Sequence, residues 1–366
     1  MVVGIPKEVK TDEYRVGITP KNALLLIQEG HKVIVQSKAG EGSGFMDSDY
    51  IAIGAKIVLS AKELYDKAIL IVKVKEPQPS EYSYLNEKHI LFCYLHLAPL
   101  FELTSVLKEK KLCAIAYETV AQEGTLPLLK PMSEIAGKMS PIMGAYHLSR
   151  YQGGEGVLIS GANVLIIGAG NAGYNAAKIA LGMGGNVTVI NRSMPKLEEL
   201  KKELPNAEIL LYSLENLQRV LIDSDIVISS VLIHGGASAP KIISRDMLKS
   251  MKEGTVFVDI AIDQGGSADS SKPTTHTNPI FKENGVIHYC VANMPGAYPK
   301  TSTIALSNAT ISYVIELANK DISKALKESY SLSSGVNVYH GHITNSAIAK
   351  VHNFEFKDIM SCLKEA

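Results

Sequence analysis

The chain has 366 residues, 46% of them apolar and 20% charged, enough material for two hydrophobic cores. Its 37 basic residues balance 37 acidic ones, so no general field recruits nucleic acid or an anionic membrane, and any anion site must be local. The cysteines Cys93, Cys113, Cys290 and Cys362 are widely spaced without a CxxC pair, which favours buried thiols over a disulfide framework or zinc site.

The opening residues lead into a strand and lack the basic start and apolar run of a signal peptide. No apolar stretch nears the roughly 18 residues a membrane span needs, so a cytoplasmic protein without membrane contact is expected. Thr19 and Pro20 open a helix through residues 22–29, and Gly30 closes it: a hydroxyl cap, Pro in the first turn and Gly past the end. Strand patterns follow at 33–35, 69–74, 90–95 and 113–117, with helical patterns between them, which suggests a parallel α/β sheet. A long helix is expected over 133–151, broken by Gly153 and Gly154. Apolar runs at 163–167, 187–190, 208–211, 226–229, 256–260 and 286–290 then make six strands, the number in a full dinucleotide-binding sheet. Residues 302–319 read as a helix leading out of this unit, and the tail from Lys324 carries no readable pattern. The expected fold class is therefore α/β, with two Rossmann-like domains built on parallel sheets. The first is discontinuous, residues 1–127 plus 300–366, and the second, dinucleotide-binding domain spans 128–299. Two consecutive domains with a C-terminal appendage is the competing layout.

The sequence Gly168-Ala169-Gly170-Asn171-Ala172-Gly173 stands directly between a strand and a helix. In that context its glycines allow the tight turn, the approach of backbone to a pyrophosphate and close helix–strand packing. The helix N-terminus adds unpaired N–H groups and partial positive charge. At the end of the second strand an acidic residue normally holds the NAD ribose 2′-hydroxyl, whereas Arg can take a 2′-phosphate. This chain has Asn191-Arg192-Ser193. NAD(H), NADP(H) and dual use all stay open.

Further segments occur in a fixed order and register: Gly4-Ile5-Pro6-Lys7-Glu8, Glu13-Tyr14-Arg15-Val16, Gly40-Glu41-Gly42-Ser43, Val72-Lys73-Val74-Lys75-Glu76-Pro77 and Tyr94-Leu95-His96-Leu97. Pro131-Met132-Ser133-Glu134, the run 258–266, and Val291-Ala292-Asn293-Met294-Pro295 leading into 299–303 complete the series. On these segments the chain resembles the bacterial alanine dehydrogenase family, from residue 1 into the C-terminal helix. The wider family includes transhydrogenase nucleotide-binding subunits and lysine-forming saccharopine dehydrogenases. The resemblance implies reversible oxidative deamination of L-alanine to pyruvate and ammonium with NAD(H), in a cytoplasmic homohexamer. It departs at residues 156–163, which look shorter than usual, and at Asn191, where the family carries an acid.

The resemblance assigns Arg15 and Lys75 to the substrate carboxylate and carbonyl, chemistry that suits a planar guanidinium fork and a point ammonium donor. It assigns His96 to proton transfer, for which an imidazole titrating near neutrality is suited. Asp263, on the carboxyl side of the second sheet, is expected to orient water or stabilise the cationic imine, while Asp259 reads as structural. Tyr94, Met132 and Asn293 are expected pocket neighbours. Expected cofactor contacts are Ser133, Gly168, Gly170, Asn171, Ala172, Gly173, Asn191, Arg192, Lys196, Ser213, Val231, Leu232, Ile260, Asp263, Val291, Ala292, Asn293 and Met294. His234, His276, His340 and His342 show no metal-ligand spacing, so no metal site is expected. Three other readings remain: a dehydrogenase for another small amino acid, a transhydrogenase subunit, which would need no amino-acid pocket, and a catalytically silent NADP-binding protein.

Overall fold

A computed structural model describes residues 1–231 and 239–365. The chain divides into two compact units, Met1–Met132 with Tyr298–Ala366, and Ser133–Ala297. In the first unit, short apolar runs form β1 (Val2–Ile5), β2 (Lys32–Gln36), β3 (Lys56–Val58), β4 (Leu70–Val72), β5 (Ile90–Cys93) and β6 (Cys113–Ala116). In the second they form β7 (Asn163–Ile167), β8 (Asn186–Asn191), β9 (Glu208–Leu211), β10 (Ile226–Ser229), β11 (Val256–Asp259), β12 (Ile280–Glu283) and β13 (Val286–Tyr289). The first unit resumes with β14 (Val336–Tyr339) and β15 (His342–Ile343).

The first sheet runs β15-β14-β6-β5-β4-β1-β2-β3. Strands β1 to β6 pair in parallel, and β14 joins β6 antiparallel. The second runs β12-β13-β11-β10-β7-β8-β9, parallel except for β12 against β13. Each sheet thus contains the doubly wound order in which the chain reverses direction beside its first strand, and ligands bind outside the strands' carboxyl ends at that point. Successive β7 residues bury into opposite cores, Val164 and Ile166 into one cluster, Leu165 and Ile167 into the other. Helices on both faces are what make the strand a continuous apolar run rather than an alternating one.

Both sheets are mostly parallel, as expected, and carry antiparallel strands at one edge. The antiparallel edge strands β12 and β15 each close a hairpin whose turn residues both have positive φ: Asn284 (51°) with Gly285 (82°), and His340 (45°) with Gly341 (88°). Two left-handed residues in a two-residue loop match the right-handed twist of the strands. The strands are too short for periodicity to reveal, and the Asn-Gly pair is the signal that could have found β12. The long helix spans Lys130–Leu148. It begins one turn before the expected start, because Pro131 suits a first turn where its missing N–H costs nothing. Ser133, expected at the start of this helix, lies within its first turn. Thr19 caps the helix Pro20–Gln28, its side chain accepting from the Asn22 N–H.

Candidate active site

In the first unit the expected substrate residues follow neighbouring strands at their carboxyl ends: Arg15 after β1, Lys75 after β4, Tyr94 and His96 after β5. Arg15 is buried at 2% exposure, which a charged side chain tolerates only when paired. Its partner is Glu13. Nε donates to Oε1 at 2.7 Å, Nη2 donates to Oε2 at 2.5 Å, and the Arg15 backbone N–H also donates to Oε1 at 3.0 Å. Burial alone would raise the Glu13 carboxyl; the guanidinium overrides it and holds the group at about 2. Arg15 Nη1 lies 3.1 Å from Met132 Sδ, which brings Met132 into the same cluster.

Beneath this pair sits a second buried charge cluster. Lys73, fully buried, donates to Glu81 at 2.8 Å and pairs with Glu8 at 3.2 Å. One ammonium serves two carboxylates. Burial, opposed by Lys73, pushes Glu8 up to about 7, while its carboxylate partners hold the Lys73 ammonium well above its usual value despite burial. Glu8 Oε1 also accepts the backbone N–H of Val74 at 2.7 Å and of Lys75 at 3.3 Å, so this cluster fixes the chain that presents Lys75. Lys75 is 5% exposed, with Nζ 6.0 Å above the Tyr94 ring, and among the described residues no hydrogen bond or ion pair involves that ammonium. Glu76 is lowered: burial would raise it, but Lys10 and Lys75 prevail.

His96 stacks on Tyr94 with ring centroids 5.8 Å apart and planes within 12°. Its backbone is left-handed (φ 46°), a conformation that costs a non-glycine residue about 1 kcal/mol or more unless the surroundings impose it. Glu118 imposes it, accepting the N–H of Leu95 at 3.2 Å and of His96 at 2.7 Å. Among the described residues neither imidazole nitrogen is hydrogen-bonded, so both remain able to exchange a proton. The Tyr94 hydroxyl is committed elsewhere, donating to the Leu128 carbonyl at 2.6 Å; its ring, not its hydroxyl, faces Lys75 and His96.

In the second unit, residues 168–173 follow β7 and open the helix Asn171–Gly182. Gly168 has φ 108°, and a Cβ on Gly173 would lie 1.9 Å from the Gly168 carbonyl oxygen, so neither position accepts a side chain. A Cβ on Gly170 would meet no atom within 4 Å; glycine there serves no protein packing and leaves the turn open to a ligand. With no acid in the helix's first turn, this cradle fits a diphosphate.

Most of the other expected cofactor residues follow strands of the same sheet at their carboxyl ends. Asn191 ends β8, Arg192 follows, and the Arg192 guanidinium lies 5.3 Å over the Tyr212 ring after β9. Val231 follows β10, and Ile260 and Asp263 follow β11. Val291 to Met294 follow β13, and Asp263 Oδ1 accepts the Asn293 N–H at 3.3 Å. Asn293 has φ 64°, and its carbonyl oxygen meets His276 Nε2 at 3.2 Å. Lys196 is exposed on the helix Met194–Glu203. Ser213 spends its hydroxyl on capping the helix Leu214–Asp223, accepting the Asn216 N–H at 3.0 Å. Leu232 and His234 lie outside the described residues. Asp259 is buried beneath the site, where the N–H groups of Ala261 and Ser267 and the hydroxyls of Ser267 and Ser271 all donate to it. Burial raises its carboxyl and those donors oppose the rise. Sequence reading did not single out Glu8, Glu13, Lys73, Glu81, Glu118 or Tyr212. Charged residues inside apolar runs, Lys73 above all, were the available signal, since a buried ammonium requires a buried anion.

Residues 4–136 match the N-terminal domain model and residues 140–346 the C-terminal domain model of the alanine dehydrogenase/PNT family. An alanine dehydrogenase of Staphylococcus epidermidis is 48% identical over the whole of both chains. One of Halomonas elongata is 47% identical, covering 99% of this chain and all of the relative. A solved L-alanine dehydrogenase superposes with a TM-score of 0.92 at 41% identity, covering 96% of this chain and 99% of that one.

Proposed function

Because the chain belongs to the alanine dehydrogenase/PNT family, we propose that it catalyses the reversible oxidative deamination of L-alanine to pyruvate and ammonium. The observation that carries this reading is the gathering of Arg15, Lys75 and His96 at the carboxyl ends of three neighbouring strands, each held there by a carboxylate partner. A transhydrogenase subunit has no use for such a set.

A nicotinamide dinucleotide, when bound, accepts the hydride removed from the alanine Cα. The glycine turn 168–173 would hold its diphosphate, with Ser133, Lys196, Ser213, Val231 and Ile260, and residues 291–294, as further contacts. Arg15, held flat by Glu13, binds the substrate carboxylate. Lys75 polarises the carbonyl oxygen of pyruvate in the reverse direction, its ammonium kept in place by the Tyr94 ring face and by the backbone clamp of Glu8. Hydrolysis of the imine requires a base to take a proton from water and an acid to protonate the departing nitrogen. His96 serves both. Tyr94 and Met132 in the first unit are further substrate-binding residues in this reading, and Asp263, which orients the water, and Asn293 belong to the second. NAD(H) is the cofactor the family implies; the neutral Asn191 beside Arg192 opens the site to NADP(H) as well. A cytoplasmic homohexamer belongs to the same reading, and light scattering of the purified protein tests the oligomer.

The deciding assay supplies L-alanine at alkaline pH with NAD or NADP and follows absorbance of the reduced cofactor. Turnover with alanine is expected. Turnover with glycine alone would move the reading to another small amino acid, and none with alanine, glycine or serine would end it.

A further inference from the structure

We propose that the turn after β8 is a site for the 2′-phosphate of NADP(H), with Arg192 as the phosphate ligand and Tyr212 as the residue that positions it. This rests on the reading that the second unit binds a nicotinamide dinucleotide.

Three observations converge on it. Asn191 uses both ends of its amide: Oδ1 accepts the N–H of Ala169, within the glycine turn, at 3.3 Å, and Nδ2 donates to the Ser193 carbonyl at 3.2 Å. The diphosphate cradle and the 191–193 turn are thereby tied together. An aspartate in place of Asn191 would set a carboxylate oxygen against the Ser193 carbonyl and put a negative charge beside any incoming phosphate, so this arrangement is built for a neutral amide. Second, the Arg192 guanidinium lies over the Tyr212 ring at 5.3 Å, and among the described residues no carboxylate pairs with it. Its charge is held in place but not neutralised. A planar cation resting on a ring keeps its N–H edges available, and guanidinium matches phosphate oxygens two at a time. Third, Ser193 makes no side-chain capping bond to the helix it precedes, and the first turn of that helix contains no acidic residue. A dianionic phosphate would meet a cation and a hydroxyl there, with no acid to repel it.

The alternative is an arginine that only covers the ring with its stem. The two differ in nucleotide selectivity, which binding alone can read. Calorimetry on the full-length protein would compare adenosine 2′,5′-bisphosphate with 5′-AMP, which differs from it only in lacking the 2′-phosphate. The expected result is at least about tenfold tighter binding of the 2′,5′ compound, the scale of one charge-assisted bidentate contact. Arg192→Leu should abolish that preference, leaving 5′-AMP affinity within about threefold. Tyr212→Leu should weaken the 2′,5′ compound by about three- to tenfold, and Tyr212→Phe, which keeps the ring, should restore it. Unchanged thermal midpoints without nucleotide show that each variant is folded. Equal wild-type affinity for the two nucleotides, an Arg192→Leu loss shared by both, or failure of the phenylalanine rescue overturns the proposal. Binding of neither nucleotide would instead overturn the dinucleotide reading beneath it.

Discussion

The two sheets share one topology and use it with opposite chemistry. Read outward from their first strands, β3-β2-β1-β4-β5-β6 and β9-β8-β7-β10-β11-β13 follow the same doubly wound order. After β7 comes a glycine turn whose tool is the backbone: N–H groups at a helix start, with side chains excluded at Gly168 and Gly173. After β1 comes a segment with no such turn, whose tools are side chains buried in opposite-charge pairs, Glu13 with Arg15 and Glu8 with Lys73. Topology decides where loops converge; the residues just past the first strand decide whether they offer backbone amides, suited to a diphosphate, or a guanidinium and an ammonium, suited to a small carboxylate.

The contrast can be broken from either side. The largest effect falls on chemistry: His96→Ala should lower kcat by about a hundredfold to ten-thousandfold, the range for a general acid–base, while nucleotide affinity in the other unit stays unchanged. Next is stability. Lys73→Met leaves Glu8 and Glu81 buried without their cation and should cost about 3–5 kcal/mol in urea unfolding; adding Glu8→Gln should recover part of that loss. No recovery would mean that charge is not the cause. On the amide side, Gly173→Ala drives a methyl into the Gly168 carbonyl, and nucleotide affinity should fall more than tenfold, roughly the effect of 1.4 kcal/mol or more.

The charge pairs also leave a signature in pH. Glu13 is held at about 2 in the folded chain against 4.5 in the unfolded one. Its stabilisation is therefore present above pH 4.5 and is lost as pH falls toward 2, a contribution of about 3 kcal/mol. Glu8, raised to about 7, works in the opposite sense: its contribution is present below pH 4.5 and disappears as pH rises through 7. Unfolding midpoints between pH 5 and 3 should fall more steeply for the wild type than for a Glu13→Leu, Arg15→Met double variant, and equal slopes would remove Glu13 as the source. The smallest effect is Ser60→Ala, which removes the hydroxyl that accepts the Glu63 N–H and caps the helix Ala61–Lys67, and should cost about 1 kcal/mol with no change in turnover.

Much of the layout was legible because it is local. The strand–turn–helix at 163–182, the Thr19–Pro20 helix start and the apolar runs of both central sheets are carried by residues within a few positions of one another. Strands at or next to a sheet edge were not legible: β3, β14 and β15 have two to four residues each, below the length at which periodicity speaks. In the candidate site, residue types with an obvious chemical use stood out, namely Arg15, Lys75, His96 and the glycines. Their supports did not. Glu118 holds the backbone of a residue 22 positions earlier, Glu8 that of one 66 positions later, and Arg192 meets Tyr212 across two strands.

Sequence alone thus determined the α/β class, the glycine cradle and the family, because backbone sterics and apolar patterning act over a few residues at a time. Only the tertiary structure decided which charges are buried together, and so which carboxylates are ionised and where Arg15, Lys75 and His96 are held. Pairing energy depends on distance and on exclusion of water, and neither exists until strands remote in sequence lie side by side.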